Sequence, residues 1–142
     1  MNEQTSIAGV TVVAVDGHAI MLSGPPGSGK STLALGLIDR GAVLIGDDGI
    51  SLLRESTRLL ATPPPNIAGK IEVRNVGIVE IATTSAPLAL VLKLTPDAPR
   101  FPETVSHEVL LDVAIPALAF DPALAAAPLR AEWALRTHGA FV

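Results

Sequence analysis

The sequence predicts an α/β fold: a mixed sheet with a buried helix behind a phosphate-binding loop, and a second helix at the C-terminus. Three observations carry this. Gly24-Pro25-Pro26-Gly27-Ser28-Gly29-Lys30-Ser31-Thr32 fits the pattern Gly, four residues, Gly-Lys-Ser, and stands between an apolar stretch, His18–Leu22, and an apolar run, Thr32–Arg40, closed by Gly41. That is the strand, loop and helix context which separates a real phosphate loop from a Gly-Pro turn with an incidental lysine. Ala42–Gly46 and Pro87–Thr95 are further apolar segments of strand length. Finally, 49% of the 142 residues are hydrophobic, yet no run reaches the ~18 uncharged apolar residues of a membrane helix, so a single soluble domain over residues 1–142 is expected.

Taken in order, Gly9–Val15 is rich in valine and threonine and reads as a first strand. Asp16-Gly17 is a strong short hairpin signal, so His18–Leu22 should return antiparallel to it. The phosphate loop follows. Its glycines at 24, 27 and 29 allow the positive φ that turns backbone N–H groups towards a polyphosphate. Lys30 supplies a charge for the β and γ phosphates, the Ser31 hydroxyl suits Mg²⁺, and the helix N-terminus adds a favourable dipole. The helix Thr32–Arg40 is apolar almost all round and expected to be buried, with Gly41 as its cap.

Ala42–Gly46 is the next strand and ends in Asp47 and Asp48. Ligands of open α/β sheets lie beyond such strand ends. In extended chain neighbouring side chains point to opposite faces, so the two share one task only if the strand has already turned there. A solvated Asp-Asp-Gly turn is the plainer alternative. Ile50–Leu53 and Thr57–Ala61 form a hairpin bent at Arg54-Glu55-Ser56, and Thr62-Pro63-Pro64-Pro65-Asn66 is a surface crossing. Lys70–Arg74 reads as a strand with Glu72 and Arg74 on one face, either a site pair or a surface ion pair.

Pro87–Thr95 is the central buried strand. Pro96–Glu103 is a polar loop carrying Arg100. Glu108–Val113 and Ile115–Phe120 read as two strands, with Pro116 at an edge. Pro128 in a first turn and Gly139 as a stop give a terminal helix over Leu129–Thr137, with Trp133 expected to anchor it in the core.

The same composition excludes several functions. There is no cysteine, hence no disulfide and no thiol chemistry. A net charge of −4 and few aromatics leave neither the basic footprint nor the stacking platforms of a nucleic-acid binder. The three histidines have no metal-like spacing. The first residues lack the basic start of a signal peptide, which fits a cytoplasmic protein.

In this order the motifs resemble the HPr kinase/phosphorylase family, in its catalytic domain and in the short form without the extra N-terminal domain. The resemblance lies in the Gly24–Thr32 loop, in Leu35–Gly41 leading to Gly46-Asp47-Asp48, in Ile71-Glu72-Val73-Arg74-Asn75-Val76-Gly77-Ile78-Val79, and in Arg100-Phe101-Pro102-Glu103. It covers roughly residues 5 to 138.

It implies a fold like the nucleotide domain of phosphoenolpyruvate carboxykinase. It also implies ATP-dependent phosphorylation of a serine on the carrier protein HPr or a homologue, and a reverse phosphorolysis that consumes phosphate and releases pyrophosphate. By the same resemblance Lys30 neutralises the transferring phosphate, and Ser31 and Glu72 hold Mg²⁺. Asp47 takes the serine proton, Asp48 assists at the metal or positions Asp47, and Arg100 reaches the phosphates from its loop. Related enzymes form hexamers, so self-association is implied as well.

Two departures stand out: Ala8 where the family has histidine, and Asn75 where its signature has glycine. Asparagine tolerates positive φ, so the backbone at 75 is expected to survive the change. The missing imidazole bears on phosphate sensing and the reverse reaction, and the alternative to the enzyme is a nucleotide-binding sensor or interaction module with weakened or lost transfer. An ordinary small-molecule kinase is disfavoured, because nothing after Gly41 resembles an arginine-rich lid.

Overall fold

The computed structural model describes residues 3–65 and 69–141. In chain order they form β1 (Gln4–Ala8), β2 (Thr11–Val15), β3 (His18–Ser23), α1 (Lys30–Asp39), β4 (Val43–Gly46), β5 (Gly49–Glu55) and β6 (Arg58–Thr62). There follow β7 (Lys70–Val73), β8 (Gly77–Glu80), β9 (Ala86–Leu94), β10 (Ser106–Leu110), β11 (Val113–Phe120) and α2 (Ala127–His138).

Nine strands make one sheet in the order β1-β5-β6-β9-β3-β2-β4, with β11 beside β9 and β10 beside β11, while β7 and β8 pair separately. The sheet is mixed, as the sequence predicts. β9 is its hub, parallel to β3 and β11 and antiparallel to β6. Its sequence explains the position: APLALVLKL offers only Lys93 to solvent, and that ammonium meets Glu108 of β10 at 3.1 Å.

Strand alternation divides the core between the two faces of the sheet. Val13 and Val15 of β2 and Ile20 and Leu22 of β3 pack with Leu33 and Leu37 of α1 and with Ala131 and Leu135 of α2. Val12, Ala14 and Met21 face the other way, onto Ile50, Leu52, Leu59 and Ile115. The turn between β2 and β3 has Asp16 and Gly17 at φ 50 and 82, the primed conformation that matches strand twist, and the strand feeding the phosphate loop is antiparallel to its predecessor. α1 ends where the sequence places its stop: Gly41, at φ 112, donates to Ile38 O and Ala42 donates to Leu37 O.

The structure corrects the sequence reading at four places. The chain before Gly9 holds an additional strand, β1, mostly exposed and paired with β5 on the sheet edge. α1 begins at Lys30, so the lysine and serine of the motif lie in its first turn. The 106–120 region is one hairpin that turns at Leu111 and Asp112 (φ 47 and 63), and Pro116 lies buried inside β11. Pro116 is accommodated because pairing with β9 starts only at Ala117. Trp133 is no core anchor: it is 58% exposed on the outer side of α2, with the Arg136 guanidinium 4.8 Å from its ring. Asn66 of the crossing segment lies outside the described residues.

Candidate functional site

A cavity of 370 Å³ opens at the start of α1, lined by Thr11, Pro26, Gly27, Gly29, Lys30, Ser31, Thr32, Asp47, Asp48, Glu72 and Arg74. Its floor is the phosphate loop. Gly24 has φ 153, and a Cβ there would stand 2.6 Å from Ser28 Oγ, so glycine is needed both for the turn and for the close approach. Gly29 precedes α1 at φ 102. The helix carries no side-chain cap and no acidic residue in its first turn, which leaves its leading N–H groups available to an anion. Lys30 Nζ donates to Gly24 O at 2.7 Å and to Pro25 O at 3.1 Å, which holds the ammonium over the loop.

The opposite wall is acidic. β4 ends at Gly46, and Asp48 takes φ 62, so the chain has turned and both aspartates face one cavity. Asp47 is half-buried and Asp48 exposed. Asp47 is tied in place: Oδ1 accepts from Ser31 Oγ at 2.7 Å and from Thr11 Oγ1 at 2.9 Å, and Oδ2 accepts from the Glu72 N–H at 3.2 Å. These bonds join the phosphate loop, the end of β4, and β7. The β7–β8 hairpin brings Glu72 and Arg74 to the rim, its turn closed by Val76 N–H to Val73 O with Asn75 at φ 69.

The structure therefore assembles Lys30, Ser31, Asp47, Asp48 and Glu72 around one cavity with Pro26, Gly27, Gly29 and Thr32 of the loop, while Gly24, Pro25 and Ser28 are not part of its lining. It does not bring Arg100 there. That residue lies in the segment after β9, its guanidinium 5.4 Å from the Phe101 ring, and Phe101 lines a separate cavity against Ala117 and Leu118. One lining residue, Thr11, is not singled out by the sequence, because it looks like any strand threonine. Arg74 is marked there by its i, i+2 spacing from Glu72 and by its place within the Ile71–Val79 stretch, with a surface ion pair as the alternative, and its position on the rim favours the site pair.

The donor set suits magnesium held with a nucleotide. Among the described residues no three of His, Cys, Asp and Glu cluster as a ready-made cation cage. Mg²⁺ characteristically takes only one or two carboxylates, with phosphate oxygens and water supplying the rest. A serine hydroxyl beside a carboxylate pair at the rim of a phosphate cradle matches that habit.

A phosphate loop closed by carboxylates from a neighbouring strand end, on a mixed sheet hubbed on β9, defines a domain of the P-loop class. Within that class, the chain belongs to the HPr Serine kinase C-terminal domain family, which it matches over residues 1–87. It is 38% identical over 78 residues to the HPr kinase/phosphorylase of Clostridium botulinum, covering 55% of this chain and 25% of that protein. To the HPr kinase/phosphorylase of Shouchella clausii it is 34% identical over 80 residues, or 56% of this chain and 26% of that one. The chain thus spans about a quarter of the length of the curated relatives it matches. The Hpr(Ser) kinase/phosphatase from Coxiella burnetii shares the fold, with TM-score 0.80 at 24% identity over 94% of this chain and 90% of that one.

Proposed function

We propose that the cavity binds ATP with Mg²⁺ and transfers the γ-phosphoryl group to a serine of an HPr-like phosphocarrier protein. The observation that carries this reading is the 2.7 Å bond from Ser31 to Asp47, which couples the phosphate loop to a carboxylate pair. The loop amides and Lys30 hold the phosphate tail, while Ser31, with Glu72 and the aspartate pair, would hold the metal. Bound Mg²⁺ supplies charge neutralisation at the phosphates. The serine oxygen bonds to the γ phosphorus, the bond to the β-phosphate oxygen breaks, and the serine proton passes to a carboxylate. Placement and charge suffice for such chemistry, since no covalent catalyst is needed.

The hydrogen bonds favour one division of labour between the aspartates. Asp47, committed to Ser31 and Thr11, has the metal side; Asp48, exposed on the cavity, is the carboxylate open to take the serine proton. The family resemblance alone implies the reverse division. Transfer of labelled phosphate from ATP to a carrier decides between them: Asp48→Asn should slow transfer about a hundredfold, roughly 2.7 kcal/mol of barrier, with Mg-ATP binding retained. Asp47→Asn should instead weaken Mg-dependent binding. Equal transfer by Asp48→Asn and wild type would remove Asp48 from this role.

A second reading, an ATP-holding sensor without transfer, is favoured by the placement of Arg100 away from the cavity and by Ala8 in place of histidine. Tight Mg-ATP binding with no mass increase on any carrier would select it. The reverse phosphorolysis is tested in the same assay by adding inorganic phosphate to phosphorylated carrier and measuring pyrophosphate.

A further inference from the structure

We propose that Thr11 is a positioning residue for the metal side of this site, its buried hydroxyl fixing the carboxylate of Asp47 in the orientation that receives Ser31. The inference rests on the reading of the cavity as a magnesium–nucleotide site.

β2 reads TVVAV and is buried throughout, and Thr11, 1% exposed, is its one polar residue. For packing alone a valine would serve this position, since a buried hydroxyl is destabilising unless it finds a partner. Its partner is Asp47 Oδ1 at 2.9 Å.

The pairing of β2 with β4 explains how the two meet. Val13 faces Leu44 and Val12 faces Gly46, so β4 carries an extra residue, Ile45, at a bulge. Continued one step, that register sets Asp47 opposite Thr11; without the bulge Gly46 would stand there. Bulges re-aim side chains at sheet ends in this way.

The consequence is a carboxylate with two hydroxyl donors on one oxygen and a backbone N–H on the other. The terminal torsion of an aspartate is otherwise broad and nearly two-fold. Three donors from β2, α1 and β7 hold it in one setting. Thr11 is the donor that has no other task in the site: Ser31 is the residue that would meet the metal, and the Glu72 N–H belongs to the hairpin backbone. Removing the Thr11 hydroxyl should therefore loosen Asp47 without touching the phosphate loop.

The test uses Thr11→Val, which keeps the shape and deletes the hydroxyl, with Thr11→Ser as the conservative rescue and Thr11→Ala as a smaller variant should valine pack poorly. ADP binding to the full chain is followed by calorimetry across a Mg²⁺ series and in EDTA. Thr11→Val is expected to raise the Mg²⁺ needed for half-maximal enhancement of binding about tenfold, with EDTA binding and melting temperature close to wild type and with Thr11→Ser restoring the wild-type curve. An unchanged Mg²⁺ curve for Thr11→Val and Thr11→Ala overturns the inference. So does a loss of equal size in EDTA, which would mark a packing effect. Wild-type protein that binds no nucleotide, or binds it without regard to Mg²⁺, overturns the parent reading and this inference together, whereas normal wild-type binding beside an unmoved Thr11→Val sinks this inference alone.

Discussion

Asn75 shows how much a single backbone setting decides. It holds φ 69 in the turn that carries Arg74 to the rim, a conformation costing most L-residues about 1–2 kcal/mol, asparagine less and glycine nothing. Asn75→Gly is therefore expected to leave the urea midpoint within a few tenths of the wild-type value, while Asn75→Val should lower stability by about 1–2 kcal/mol. Such positive-φ positions are legible in sequence because asparagine and glycine advertise them, and the cradle at Gly24, Gly27 and Gly29 is legible for the same reason. Thr11 is not. Its identity as a site residue depends on a bulge in a different strand, and no local pattern around residue 11 records where Ile45 is extruded. Arg100 and Trp133 misled in the opposite sense: each has a chemistry that invites a role, but a loop path and a helix rotation, both set by long-range packing, decide where the side chain goes.

At the scale of elements, α1 and α2 meet so closely that the contact allows a choice between two opposing effects. Gly36 lies inside α1, where alanine would be better by about 1 kcal/mol on helix propensity. A Cβ at that position would stand 2.5 Å from Pro128 Cγ, a rigid ring in the first turn of α2. Overpacking of that kind costs typically about 1–3 kcal/mol, so Gly36→Ala is expected to be net destabilising, by up to about 2 kcal/mol. A urea midpoint at or above wild type would show that the helices can separate.

The same pair is clamped further along by Arg40 and Glu132, at 2.9 Å, with the glutamate side chain only 7% exposed. The Glu132 carboxylate, first through its hydrogen bond and then through its charge, raises the Arg40 guanidinium above its ordinary value. A raised cation contributes stability below its unfolded pKa and loses it only as pH climbs through the folded one, so this clamp should be flat across neutral pH. Arg40→Met, which strands a buried carboxylate, is expected to lower the melting temperature more than Glu132→Leu, which strands a cation able to reach water. The helices themselves are legible in sequence, α1 from its apolar run behind the phosphate loop and α2 from Pro128 and Gly139, while this contact joins residues 92 apart and is not.

The molecule as a whole is held together by a strand of which the most recognisable part of the sequence contains only the first two residues. The phosphate loop, the aspartate pair, Glu72 and Arg74 all lie within residues 1–87, the stretch that matches the family. Yet β9, from Ala86 to Leu94, stands between β6 and β3 in the sheet. Without it the remaining strands of that sheet fall into three sets, β1-β5-β6, β3-β2-β4 and β10-β11, with no main pairing between them. Both cores would also lose their centre, since Leu90 and Leu92 belong to one and Leu88 and Val91 to the other. β11 and α2 would go as well, and with them Leu135 and the cover over α1. A fragment of residues 1–87 is therefore expected to carry every candidate site residue except Arg100 and still to show no cooperative unfolding transition and no Mg-dependent nucleotide binding, whereas the full chain shows both. Cooperative melting of the fragment would mean that β3-β2-β4 and α1 fold as an autonomous unit, and the hub role assigned to β9 would then be wrong. Unfolded fragment and binding-competent full chain would instead show that the site is a property of the complete sheet, in which β9 pairs with β3, the strand at the root of the loop.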